Sequence, residues 1–110
     1  MDNEYVVILC IINNGFSETA MEAAKKQGAR GGTVIHGRGT ASKEAEKFFN
    51  ISIQPEKEIV MILSKKEIKA AILQGLYNAV GTATPAQGIA FALPVDEVIG
   101  IDNNKKVVEK

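Results

Sequence analysis

The residues best suited to chemistry lie within 79–98, AVGTATPAQGIAFALPVDEV. Thr82, Thr84 and Gln87 supply hydroxyl and amide donors around Pro85, and Gly88 lacks a Cβ, so a phosphate or carboxylate could approach neighbouring backbone N–H groups. The same spacing describes an ordinary helix-to-strand connection, and spacing alone favours that reading. His36 is the only histidine and reads as a hydrogen-bonded strand-end residue. Without a cysteine pair or a second histidine, no zinc site is complete. Cys10, inside VVILCII, reads as a small buried hydrophobe and not as a nucleophile. The residues around His36 offer no strained nucleophile turn for a Ser-His-Asp arrangement. The expectation is a binding protein, not an enzyme.

The elements that must position these residues follow from apolar periodicity. Residues 5–12 form a nearly continuous β-branched run, which marks a strand covered on both faces. Asn13-Asn14-Gly15 is a turn, and Ser17 is the expected N-cap of a helix to about Gln27, with Thr19 and Glu22 as a competing capping box. Ala20, Met21, Ala23 and Ala24 share one stripe of that helix, and Gly28 closes it. Gly31-Gly32 reads as a hinge before a short strand at 33–36. A long polar segment, 37–55, follows, with Phe48-Phe49 as either a docking surface or a packing pair and a further short strand at 51–53. Residues 59–63 are a second continuous apolar strand. Ser64 and Glu67 have capping-box spacing for a helix to Val80, whose expected stripe is Ile68, Ala71, Ile72, Leu76 and Ala79. Gly81 is the expected left-handed C-terminal residue, and 89–95 the expected buried last strand. Beyond it, 98–101 and 107–108 read as a small hairpin or an extended arm.

Composition narrows the function. The chain has 110 residues, thirteen basic and thirteen acidic, and the basic residues are scattered, so there is no electrostatic footprint for nucleic acid. One cysteine cannot form an internal disulfide, the N-terminus is acidic where a signal peptide would be basic, and no apolar run is long enough to span a bilayer. The expectation is a cytoplasmic single domain over 1–110.

The order β-α-β-β-α-β is that of the ferredoxin-like α+β fold, an antiparallel sheet with two helices on one face and a long loop between strands two and three. Two helices cover only one side of such a sheet. Strands apolar on both sides would leave an exposed patch larger than monomers tolerate, so a homo-oligomer with inward-facing sheets is expected.

Three features together carry a family resemblance: this fold order, the segment Gly32-Thr33-Val34-Ile35-His36-Gly37-Arg38-Gly39 before the long loop, and Ala86-Gln87-Gly88-Ile89-Ala90-Phe91-Ala92-Leu93-Pro94-Val95 near the end. The chain resembles the PII signal-transduction proteins of nitrogen and carbon regulation. The resemblance implies a homotrimer, an effector loop at about 37–57 and a ligand loop at about 81–89 that meets nucleotide phosphates between subunits. It implies ligand contact by Thr33, Gly37, Arg38, Gly39 and Lys43 at the first, and by Thr82, Gln87 and Gly88 at the second. Phe48 and Phe49 would face the regulated partner, an enzyme, a transcription regulator or a membrane transporter at its cytoplasmic side.

Several family positions differ here. In the family's Gly-Asp-Gly-Lys phosphate loop, the first glycine is Ala86, the aspartate Gln87 and the lysine Ile89, while Gly88 is kept. Two phosphate-reaching arginines fall on Gly100 and Asp102, the arginine and glutamine of the loop base on Ser42 and Lys43, and the lysine anchoring 2-oxoglutarate on Glu56. A triphosphate needs several cations or a metal to offset its desolvation. The effector is therefore left open: an adenine nucleotide of lower charge is the candidate, while 2-oxoglutarate and Mg²⁺ are disfavoured. Tyr5 and Tyr77 are the only tyrosines, so the loop has none to uridylylate. The alternative is an interaction oligomer that kept the fold and lost its effector.

Overall fold

The computed structural model describes residues 4–40 and 55–101. Lys43, Phe48-Phe49, the short strand expected at 51–53 and the end of the tail lie outside them.

The elements are β1 (Tyr5–Asn13), α1 (Ser17–Lys26), β2 (Thr33–Arg38), β3 (Glu56–Lys65), a 3-10 turn (Lys66–Ile68), α2 (Lys69–Val80) and β4 (Ile89–Pro94). The four strands form one sheet in the order β2-β3-β1-β4, with every pair antiparallel. This is the expected α+β, ferredoxin-like arrangement. β2 and β3 extend further than their apolar runs suggested, so Gly37 and Arg38 belong to one strand and Glu56 and Lys57 to the other.

One side of the sheet packs on the helices. Val6, Ile8, Cys10 and Ile12 of β1 and Val60 and Ile62 of β3 meet Ala20 and Ala24 of α1 and Ile72, Leu76 and Val80 of α2, all buried. The α2 stripe thus runs through Val80; Ala71 is exposed and Ile68 and Ala79 are partly buried.

Among the described residues no helix lies on the other side, and the strand register sorts its residues into rungs. Ile35, Ile59, Ile11 and Ile89 form one rung across all four strands. Thr33, Met61, Leu9 and Phe91 form the next, and Leu63, Val7 and Leu93 the one beyond. β1 and β3 are thus buried on one face and half-buried on the other. β4 was expected to be buried but is an edge strand with one neighbour, and its Ile89, Phe91 and Leu93 are 54%, 41% and 45% exposed.

The helix ends depart from local capping rules. Phe16, not Ser17, occupies the N-cap of α1, and neither helix start has a side-chain cap from its own segment. Glu58 of β3 does that work for α1: its Oε1 accepts the N–H of Gly15 and of Ser17, each at 3.1 Å. The α1 end thereby gains an anion from a distant strand, where its unsatisfied N–H groups and dipole favour one. Ser64 lies in β3 and its Oγ donates to the Lys65 carbonyl, so the second capping box does not form. Gly28 has the left-handed backbone its position required, φ +109. Gly81 is extended instead, φ −73 and ψ −170; it is glycine because a Cβ would run into the Tyr77 carbonyl.

Candidate functional site

The two loops expected to bind a ligand meet the sheet at the same end, and a row of polar side chains joins them there. Asn13 and Lys57 are directly opposite on the open face, with Gly37 beyond Lys57 on β2. Lys57 Nζ donates to Asn13 Oδ1 at 2.7 Å. Asn13 Nδ2 donates to the Pro85 carbonyl at 3.0 Å and to Gln87 Oε1 at 3.3 Å. Backbone bonds tighten the junction: Asn13 N–H donates to Ala86 O, Asn14 N–H to Glu56 O and Gly39 N–H to Pro55 O. Asn13 is buried, so its amide needs these partners. The Lys57 stem lies over Gly39, where a Cβ would come within 2.8 Å of Lys57 Cε.

Neither Asn13 nor Lys57 stood out in the sequence. Asn13 reads as a turn residue and Lys57 as one of many surface lysines; their meeting depends on strand register. The only available signal was alternation, since a lysine directly after Glu56 must point to the opposite face.

The remaining expected ligand residues are distributed. Arg38 is exposed opposite Glu56 and, by alternation with Gly37, belongs to the helix side of β2. Thr33 lies two rungs from Gly37, roughly 13 Å along the strand. It lines a groove of about 850 Å³ formed by the open face, the 28–33 loop and the 95–101 tail. Thr82 and Gly88 line a smaller apolar hollow of about 300 Å³ between α2 and β4, with Cys10 and Leu76. A single protomer therefore brings Gln87 and Gly37 to one end, Thr33 to another, and Thr82 to the far side.

The loop itself is closed to an anion at several points. Thr84 N–H donates to Gly81 O, Gln87 N–H to Thr84 O and Gly88 N–H to Val80 O at 2.8 Å. Ala86 N–H donates to Thr84 Oγ1, and that hydroxyl donates to Gly81 O. Gly88 is buried, and a Cβ there would strike the Val80 carbonyl and Ile12 Cγ2. Its missing side chain admits the end of α2 against β1, so its amide is spent inside the fold. Gln87, with φ +50, stays exposed, as do Thr82, Ala83 and Pro85.

Cys10 is buried beneath α2, and burial pushes its thiol up to about 11, which suits an inert packing residue. Lys65 sits over the Tyr5 ring at 5.9 Å, at the opposite end of the open face. His36 is exposed on β2 across from Glu58. Among the described residues, no helix is long and apolar enough to cross a membrane.

No family model and no curated protein matches the sequence. Solved structures do. The crystal structure of Arabidopsis thaliana PII bound to citrate superposes with a TM-score of 0.68 at 22% identity, over 93% of this chain and 84% of that one. A functionally unknown protein from Pediococcus pentosaceus superposes with a TM-score of 0.64 at 16% identity, over 91% of this chain and all of that one. The chain has the PII fold.

Proposed function

We propose that this chain is a divergent PII-like signal-transduction protein. It acts as a homotrimer that binds a small effector between copies and controls a partner, a membrane transporter or a metabolic enzyme, through the loop between β2 and β3. On this reading it is a cytoplasmic regulator, not an enzyme, and it reaches a membrane only through its partner.

The observation that carries the reading is the open face. Three apolar rungs spanning the sheet need a cover, and a symmetric assembly of identical chains supplies it. The row Gln87–Asn13–Lys57 stands where that face ends, tying the ligand loop to the base of the effector loop. Thr33 is too far from Gln87 to share a ligand within one copy; a site between copies removes that difficulty.

A second reading has its own support. The amides of Thr84, Ala86, Gln87 and Gly88 are spent internally, which favours an interaction oligomer that no longer binds nucleotide. Calorimetric titration of ATP, ADP and AMP, with and without 2-oxoglutarate and Mg²⁺, separates the two. The sensor reading predicts saturable binding of an adenine nucleotide, weakened by Gln87→Glu, which adds negative charge without enlarging the side chain. No heat and no ligand-dependent rise in Tm would leave the interaction oligomer.

A further inference from the structure

We infer that Asn14, in the turn between β1 and α1, is a latent site of spontaneous deamidation that Glu58 holds closed. The inference concerns a covalent modification of this chain and stands whether or not the protein is a regulator or an oligomer.

Asn14-Gly15 is the only asparagine-glycine pair in the sequence. Both residues are exposed, and a Cβ placed on Gly15 would meet nothing within 4 Å, so water and base reach the peptide between them. In the reaction the Gly15 nitrogen gives its proton to a base from solvent and bonds to Asn14 Cγ, and the side-chain nitrogen leaves as ammonia. Water then opens the succinimide ring. Addition at the Cγ carbonyl leaves aspartate; addition at the backbone carbonyl leaves isoaspartate, whose main chain runs through Cβ. No oxidant or cofactor enters.

The structure restrains the reacting groups on both sides. Asn14 N–H donates to Glu56 O at 3.2 Å, and Gly15 N–H donates to Glu58 Oε1 at 3.1 Å. Glu58 is itself buried in β3, paired with Ile12 and His36, and its Oε1 also accepts the Ser17 N–H. A carboxylate is far too weak a base to take an amide proton. The contact therefore keeps the proton on the nitrogen that would have to lose it. That nitrogen lies in a planar peptide, so it reaches Cγ only by rotation about the Asn14 Cα–C bond, which carries the N–H off Glu58. Either product adds negative charge close to the Glu58 carboxylate. The change also falls next to Asn13, whose amide holds Pro85 and Gln87 and whose Oδ1 accepts from Lys57, so it would reach the junction of the two loops.

The test ages the purified full chain in mildly alkaline buffer and reads aspartate and isoaspartate at position 14 by peptide mapping. Asn78, exposed inside α2 and followed by Ala79, is the internal reference, and Gly15 amide exchange is measured on the same samples. The folded wild type should convert at least about tenfold more slowly than the chain in urea, because ring closure waits for local opening. Glu58→Ala should convert at least about tenfold faster than the folded wild type at position 14, with Asn78 unchanged, since a bond to a charged acceptor is lost. Glu58→Gln, which keeps an acceptor oxygen, should fall between, its conversion rising by the same factor as its Gly15 exchange; this arm carries the test even where Glu58→Ala fails to fold. Ile62→Ala, which weakens the fold away from the turn, should leave the rate at position 14 unchanged. Equal rates in the folded and urea-unfolded wild type, Glu58→Gln no faster than wild type, or Ile62→Ala as fast as the Glu58 variants would each overturn the inference.

Discussion

The two faces of the sheet are built from the same kinds of residue and differ in what covers them. On the helix side, Ile8, Ile12, Val60 and Ile62 are sealed under α1 and α2. On the other, Val7, Leu9, Ile11, Ile59, Met61 and Leu63 repeat the pattern half-buried, and among the described residues it is the 28–33 loop and the short 95–101 tail that border them. The strands read as continuous apolar runs because both faces are apolar, and a fold with helices on one side satisfies only half of that pattern. The closed face accounts for the stability of one chain; the open face is where association and ligand binding are expected.

The largest contrast should come from adjacent residues of β3. Ile62→Ala, on the closed face, is expected to lower unfolding free energy by about 2–5 kcal/mol, checked by denaturant melts. Met61→Lys, on the open face, should leave the helix-side core intact but shift the molecular mass towards the monomer, read by light scattering. Equal destabilisation with unchanged mass would erase the distinction between the faces. Gly88→Ala probes the closed face by overpacking, since the Val80 carbonyl and Ile12 Cγ2 lie where the methyl would go. A loss of about 3 kcal/mol is expected, because a backbone carbonyl cannot rotate away.

Cys10 gives the closed face a pH signature. Its thiol is raised from 9.0 to about 11 in the folded protein, so folding favours the protonated form. The associated stability is intact below about pH 9 and falls as pH rises towards 11, by roughly 2–3 kcal/mol in total. Cys10→Ala should flatten that part of the stability–pH curve; an unchanged slope would show the thiol to be less shielded. A smaller effect is expected at Glu58, the closed-face neighbour of Lys57. Glu58→Gln removes the charge that two α1-end N–H groups share, and should cost about 1–2 kcal/mol in thermal melts.

The sequence carried the fold order well because its signals are local: apolar runs for β1 and β3, a 3.6-residue stripe for α1, and Gly28 at a position that needs a left-handed residue. The helix caps were not legible, because the group that caps α1 is Glu58, 41 residues beyond Ser17. Gly88 drew notice as a glycine in a polar loop, yet its role is set by the end of α2 pressing on β1, which no local pattern encodes. The candidate site was legible in part. Gln87 and Gly37 could be picked out by motif, whereas Asn13 and Lys57 become neighbours only through the register of β1 against β3. The loss of cations from the family's ligand positions was readable residue by residue, and the internally bonded amides of the 84–88 turn agree with it.

The most direct test of the central claim is the mass of the purified protein by light scattering across a wide concentration range. A PII-like regulator whose sheets face inward should show three times the 11.8 kDa chain mass, stable on dilution and reduced by Met61→Lys. A monomer at every concentration would mean that the open face has some other cover, and would contradict an effector site between copies.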